Sequence, residues 1–436
     1  MGCCGVPSLR LLIVFVLLLV TFTTRAQRLS ALAPQPDWSQ LEAFQESITH
    51  DDFVRLLDHV YAPADAAKGV INVEADAAVI KTTLTPPAEF RLRFAKDTAS
   101  VKPAPRYWRS PAQLGLVPDA QPLAGLKIAI DPGHLGGTWA KMEERYLQIG
   151  ESRPVVEGEM TLRVAQMLVP KLHALGADVS LVRNALEPVT KDRPETLREA
   201  ARTELTREGV TSPRENYNGM NDPGRGETVQ AQSELLFYRI SEIRQRAAIV
   251  NTQLRPDLVL CLHFNAEAWG DPLRPDFVPR NHLHVLVNGC YSAGELHFDD
   301  QRFEMLLKLL SGTFPEELAV SERVANSLAA ATKLPPYSYT TGNALRPAEN
   351  PYIWARNLLA NRLYHAPVVF LEPYVMNSEV VWERVQAGDY EGEQMIGGEL
   401  RRSIFREYTD AVVEGLRDYY AAARTAQPAA QPAVPK

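Results

Sequence analysis

Cysteine is almost absent. Four occur in 436 residues, and Cys3 and Cys4 lie before the first apolar run. Cys261 and Cys290 are too few for a disulfide framework or a cluster of thiolate ligands. A metal held by this chain must therefore be bound through histidine and carboxylate. An excess of basic charge is missing too. Lys and Arg number 46 against 53 Asp and Glu, a net charge of -7, and no basic stripe is present, so the chain is not expected to bind nucleic acid. A long hydrophobic run is also lacking. Leu11 to Phe22 is shorter than the roughly 20 residues a membrane span takes. It follows Arg10 and leads to Thr24-Arg25-Ala26, the small-x-small pattern of a signal-peptidase site. Residues 1–26 are read as a secretory signal. Cleavage removes two arginines and no acid, leaving a mature chain of net charge -9. The processed chain is expected in the periplasm or cell envelope and not as an integral membrane protein.

What is present divides into two regions and a tail. Residues 27–122 read as a small α+β module with a proline-rich exit (Pro86, Pro87, Pro103, Pro105, Pro111, Pro118). Trp38 to Val60 has helical apolar spacing, whereas Val70 to Thr83 and Phe90 to Phe94 alternate like strands. No motif identifies the role of this module. Across 123–423 the pattern changes to strands separated by amphipathic helices. Apolar strands are expected at Lys127 to Asp131, Val179 to Val182, Leu258 to His263, Leu283 to Val287 and Val368 to Glu372. The helix over Met160 to Leu175 is stopped by Gly176. This alternation predicts an α/β fold, a mostly parallel twisted sheet with helices on both faces. Residues 424–436, rich in Ala, Pro and Gln, read as a disordered tail.

In open α/β sheets, chemistry gathers at the carboxyl ends of strands. One strand here ends in Asp131-Pro132-Gly133-His134, another in His263-Phe264-Asn265-Ala266, and the last in Glu372. Glu157 stands just before the first long helix. Two imidazoles and one carboxylate are a usual catalytic zinc set that leaves a fourth position for water. Zinc, Zn2+, brings the pKa of such a water toward about 7 and polarises a carbonyl under attack. A further carboxylate has to take the proton and return it to the leaving amine, and Glu372 has that chemistry. Glu159 is an alternative to Glu157. Glu143 and Glu144 are weaker ligand candidates and read as solvent-facing charges. His282 and His284, an H-x-H pair on one strand face, could bind metal by spacing alone but read as core or supporting residues, and Cys261 as a packed thiol.

Five segments carry a resemblance. Ile128-Ala-Ile-Asp131-Pro-Gly-His134, Glu157-Gly-Glu-Met-Thr-Leu162 and Val179-Ser-Leu-Val-Arg183 are similar in order and content to motifs of the type 3 N-acetylmuramoyl-L-alanine amidases. So are Arg246 to Asn251 with Asp257-Leu-Val-Leu-Cys-Leu-His263-Phe-Asn-Ala266, and Pro367-Val-Val-Phe-Leu-Glu372-Pro-Tyr-Val-Met-Asn377. The resemblance covers most of 126–420. It implies zinc held by His134, Glu157 and His263, with Glu372 as general base and acid. The bond cut would be the amide between N-acetylmuramic acid and L-alanine in peptidoglycan. It favours Glu157 over Glu159, because the family's ligand stands five places before the leucine matched by Leu162. Asp131 and Asn265 would orient ligands. A protein activator would be a partner beside the wall polymer.

The chain departs from the family pattern around the expected site mouth. Leu135 stands where a glycine is usual, the stretch from His134 to Glu157 is long, and Asn184 to Glu227 and Cys290 to Pro315 look inserted. Within the second insertion, Asp299 to Leu310 has one apolar helical face that should either block the zinc cleft or cover the sheet. Two other functions stay open at this level. One is a zinc peptidase or amidase acting on another wall or peptide amide. The other is a non-catalytic wall-binding protein, against which an intact Glu372 argues.

Overall fold

The computed structural model describes residues 28–425, apart from 269, 272 and 273. The expected signal, residues 1–26, and residues 426–436 lie outside the described residues. Among the described residues no helix is long and apolar enough to cross a membrane.

A three-stranded antiparallel sheet comes first: β1 (Ile71–Val73), β2 (Ala77–Leu84) and β3 (Pro87–Arg93). The six-stranded sheet that follows contains β4 (Lys127–Pro132), β5 (Asp178–Leu181), β6 (Leu258–Leu262), β7 (Leu283–Val287), β8 (Ile353–Ala355) and β9 (Val368–Pro373). Its order is β8-β7-β9-β6-β4-β5, and only the β7–β9 pairing is antiparallel. Alternate strand residues enter different cores, as period-two geometry requires. Ile128, Ile130, Leu260, Leu262, Val285 and Leu371 face one cluster, and Ala129, Val259, Cys261, Leu286, Val368 and Phe370 face the other. The first cluster is covered by α1 (Glu157–Ala174), α4 (Phe314–Thr332) and α5 (Ile404–Thr425). The second is covered by α2 (Glu242–Ala248), which supplies Ala247, and the turn after it, which supplies Val250. The fold is thus a mostly parallel sheet with helices on both faces, plus a small antiparallel sheet.

The N-terminal region shares the first cluster with the large sheet through Leu41, Phe44, Phe53, Val60, Ile80 and Leu92. Its helical spacing is not realised as one helix. A 3-10 turn over Trp38–Phe44 ends before Glu46, which has φ 64°, and a new helix starts at His50, where the Thr49 side chain accepts from Asp52 N–H. The expected strand over Val70 to Thr83 is likewise broken into β1 and β2. Arg424 belongs to the last turn of α5, and its guanidinium donates to the carbonyls of Leu114, Gly115, Pro122 and Ala124.

The apolar-faced segment forms α3 (Asp299–Leu310), buried on nearly every side. Phe303 packs edge-on against Trp38, Arg302 Nε donates to Lys81 O, and Lys308 is buried against Glu317. It wedges the N-terminal region onto the large sheet, and none of its residues lines the candidate site. The helix packs against the N-terminal region and does not block the cavity.

Candidate metal centre and active site

β9, β6 and β4 are consecutive in the sheet and parallel, so their carboxyl ends share one edge. Three expected residues meet there: His134 just beyond β4, His263 just beyond β6, and Glu372 near the end of β9. Glu157 joins them as the first residue of α1. Single ligand atoms of His134, Glu157 and His263 lie within 4.8 Å of one another, which makes these residues a group able to hold a metal ion.

Local geometry explains the sequence around them. His134 has φ 57°, a strained left-handed conformation for a side-chain-bearing residue, held by its surroundings. Gly133 is required because a Cβ there would stand 2.2 Å from the His263 ring. At Gly158 a Cβ would meet Leu135 O at 2.1 Å, so the start of α1 sits directly on the turn that bears the first histidine. Thr161 Oγ1 donates to Gly133 O at 2.8 Å, across the interface between α1 and that turn.

Glu157 is buried. Its Oε1 accepts from Phe264 N–H at 3.1 Å and lies 3.2 Å from His263 Nδ1, and its Oε2 lies 3.5 Å from His134 Nε2. That Oε2 has no hydrogen-bond donor, although Arg145 Nε stands 3.1 Å away. A buried carboxylate oxygen without a donor, facing two imidazoles, fits a cation. Burial alone pushes Glu157 up, but His134, His263 and Arg145 together hold it below its ordinary value. Burial drives His134 well down, whereas Glu157 and Glu372 outweigh burial at His263 and raise it. His263 also stacks on Phe370, ring centres 4.4 Å apart, two residues before Glu372 on the same strand face. Burial raises Glu372 to about 7, against the opposing pull of His263.

Glu159 is exposed and accepts from Gly137 N–H at 3.2 Å. Asp131 is buried without touching a ligand side chain. It accepts from Tyr364 and from Arg246 Nη1 at 2.9 Å, and Arg246 also donates to Pro132 O and His134 O. Asp131 thereby fixes the turn that carries His134. Asn265 lines the cavity, but its Oδ1 accepts from its own neighbour, Ala266 N–H. Neither His282 nor His284 belongs to the metal-holding group. Cys261 and Cys290 are both free and buried, and burial pushes the Cys261 thiol well up.

Glu143 departs from its expected solvent position. It is buried, accepts from Leu135 N–H at 2.8 Å, and stands 3.3 Å from His134 Nδ1. Burial raises it to about 7. It therefore backs the imidazole on the side away from Glu157, as outer partners of metal-bound histidines do. Charged neighbours in sequence conceal it. Only the return of the chain, by pairing Tyr146–Leu147 with Val155–Val156, brings Glu143 inward and Arg145 beside Glu157. The Asn184 to Glu227 insertion completes this wall. Leu197, Ala201 and Leu205 form a third apolar cluster with Leu135, which explains a leucine at that turn. Glu143→Gln is expected to weaken metal affinity about 10–100-fold, read by competition with a chelating indicator. Unchanged affinity would leave Glu143 as a brace of Leu135 alone.

Above the cluster lies a cavity of about 310 Å³ bounded by His134, Arg145, Glu157 and Glu372 and walled by Asn265, Glu267, His284, Tyr337, Tyr339 and Arg356. Of these, Tyr337, Tyr339 and Arg356 carry no site signal of their own in the sequence. They lie in segments without periodicity, whereas His284 reads there, with His282, as a core or supporting residue.

No protein-family model and no curated protein matches the chain. Among solved structures, it is similar to the N-acetylmuramyl-L-alanine amidase Ami1 from Mycobacterium smegmatis, at 17% identity, over 69% of this chain and 99% of that one, with a TM-score of 0.36. It is also similar to the CwlD amidase from Clostridioides difficile in complex with the GerS lipoprotein (11%, 68% and 100%, 0.37). A third is the N-acetylmuramoyl-L-alanine amidase AmiC2 of Nostoc punctiforme (13%, 68% and 98%, 0.35).

Proposed function

We propose that the protein is a zinc-dependent amidase that hydrolyses the amide between N-acetylmuramic acid and L-alanine in peptidoglycan. The observation that carries this reading is the meeting of His134, Glu157 and His263 with Glu372 at one sheet edge, under an open cavity. The two-imidazole, one-carboxylate donor set suits zinc. A bound zinc ion supplies Lewis-acid polarisation of the scissile carbonyl and acidifies a water. The chain's own residues do the rest. Glu372, raised toward neutrality by burial, takes a proton from the attacking water and returns it to the departing amine. Glu143, and Asp131 through Arg246, keep the His134 turn in place. The choice of bond rests on the five motifs shared with type 3 amidases. Export through residues 1–26 to the cell envelope belongs to the same reading, since the polymer lies outside the inner membrane.

The test is digestion of purified sacculi by the zinc-loaded protein, with mass spectrometry of the released material. Free L-alanine amino termini together with glycan strands bearing intact lactyl carboxylates are expected. Fragments cut within the peptide or at a crosslink would make the protein a wall peptidase. Binding without release of fragments would make it a wall-binding protein.

A further inference from the structure

One guanidinium on the cavity wall has no ion-pair partner. Arg356 follows the edge strand β8, and its backbone is fixed at both polar atoms. Its N–H donates to Val287 O at 3.0 Å, and its carbonyl accepts from Asn361 Nδ2 at 3.1 Å. The side chain is held as well. Nη1 donates to Tyr339 Oη at 3.2 Å, and the Tyr339 hydroxyl lies 3.1 Å from His284 Nε2. Burial drives His284 down to about 3, so its ring is neutral and Nε2 is free to accept the Tyr339 proton. His284 lies opposite Glu372 in the antiparallel β7–β9 pair, which places this chain of hydrogen bonds beside the reacting centre.

Of the other charges in the cavity, Glu372 is the proposed acid–base group, whose carboxyl Arg356 pulls down without an ion pair, and the rest are engaged. Arg145 pairs with Glu157, and Glu267 stands 3.1 Å from His282. Among the described residues, no carboxylate lies within ion-pair distance of Arg356. An arginine held this way on a cavity wall, with guanidinium N–H groups unspent, is suited to an incoming carboxylate or phosphate.

We infer that Arg356, positioned by Tyr339 and His284, is a specificity-determining subsite for a free carboxylate on the peptide side of the scissile amide. The inference rests on the proposed amidase reading and adds the substrate class. The argument for the peptide side is chemical. The only carboxyl group of N-acetylmuramic acid is the acyl half of the amide being cut, and the rest of the glycan is uncharged. A carboxylate close to that bond must therefore belong to an acidic residue of the stem peptide.

Two muramyl dipeptides differing in one group test this, both with the glutamate γ-carboxyl capped as its methylamide: MurNAc-L-Ala-D-Glu(γ-methylamide), whose α-carboxylate is its one free acid, and the corresponding α-amide, which has none. The wild-type protein should favour the free acid about tenfold to hundredfold in kcat/KM, mostly through KM, the usual range for removal of a charge-assisted hydrogen bond. Arg356→Gln should bring the ratio to about threefold or less, and Arg356→Lys should recover part of it, because it keeps the charge without the planar fork. Tyr339→Phe, which retains the ring, should lower the preference without abolishing it. Calorimetric titration of both dipeptides into Glu372→Gln, with and without Arg356→Gln, reads the same discrimination in the absence of turnover. If the wild type cleaves neither compound but Glu372→Gln still distinguishes them through Arg356, the amidase reading fails and the subsite stands. An equal drop in kcat/KM for both compounds in Arg356→Gln would show that the guanidinium acts on Glu372 or the reacting carbonyl, and would overturn the inference. Absence of discrimination in the titration would overturn it too.

Discussion

The full-length protein is expected to carry one zinc per chain, and His134→Ala and His263→Ala to lose it along with activity. Each variant leaves two of the three donors that converge within 4.8 Å. Catalytic zinc sites use three protein ligands, so two leave the ion open to buffer and chelator. The loss in affinity should exceed the roughly 10–100-fold that an outer partner contributes, and so exceed the effect at Glu143. Elemental analysis after dialysis against a weak chelator measures it directly. Stoichiometric zinc in both variants would mean that the ion is held elsewhere. Both histidines lie beyond strand ends and not within a packed core, so loss of metal should not be accompanied by loss of the sheet. Circular dichroism separates the two.

Glu372→Gln should retain zinc and fold yet lose about 10²–10⁴-fold in turnover, the usual contribution of a general acid–base group. Glutamine keeps the shape and volume of the side chain but cannot accept the water's proton. Burial holds Glu372 near 7, where a group can both take and return a proton around neutral pH. Its ring neighbours on the strand, Phe370 and through it His263, are untouched by the change, so the metal-holding group should survive. A near-normal rate in this variant would transfer the role to another carboxylate of the cavity. Glu267 would be the first to examine, since it lines the same space.

The strand-end residues were legible because each follows a short, wholly apolar segment that a parallel sheet buries on both faces. A polar residue at such a boundary has to be turned toward the open edge. Asp131-Pro132-Gly133-His134, His263 and Glu372 all occupy that place. Glu157 needed the resemblance to distinguish it from Glu159, since both fall in the first turn of the same helix. The structure separates them by burial, with Glu157 against the two imidazoles and Glu159 exposed.

Glu143 was hidden by its company. Lys141, Glu143, Glu144 and Arg145 look like a solvated charge run, and only the two-residue antiparallel pairing that folds the segment back sends alternate members inward. Arg356 and Tyr339 were hidden by distance. They lie far from the metal ligands in sequence and reach the cavity because β8 adds to β7 at the sheet edge and β7 pairs with β9. The same applies to α3, whose apolar face announced burial but not against what. Its partner proved to be the N-terminal region, through Trp38 and Lys81.

By itself, then, the sequence determined the α/β alternation, the exclusion of a cysteine-bound metal and the set of residues at strand ends, because these follow from periodicity and composition along a local stretch of chain. Which charges are buried, which cavity arginine is left without an ion pair among the described residues and what α3 packs against were decided only by tertiary structure. Those properties depend on what lies across a strand or a cavity, and strand order, not chain order, sets that neighbourhood.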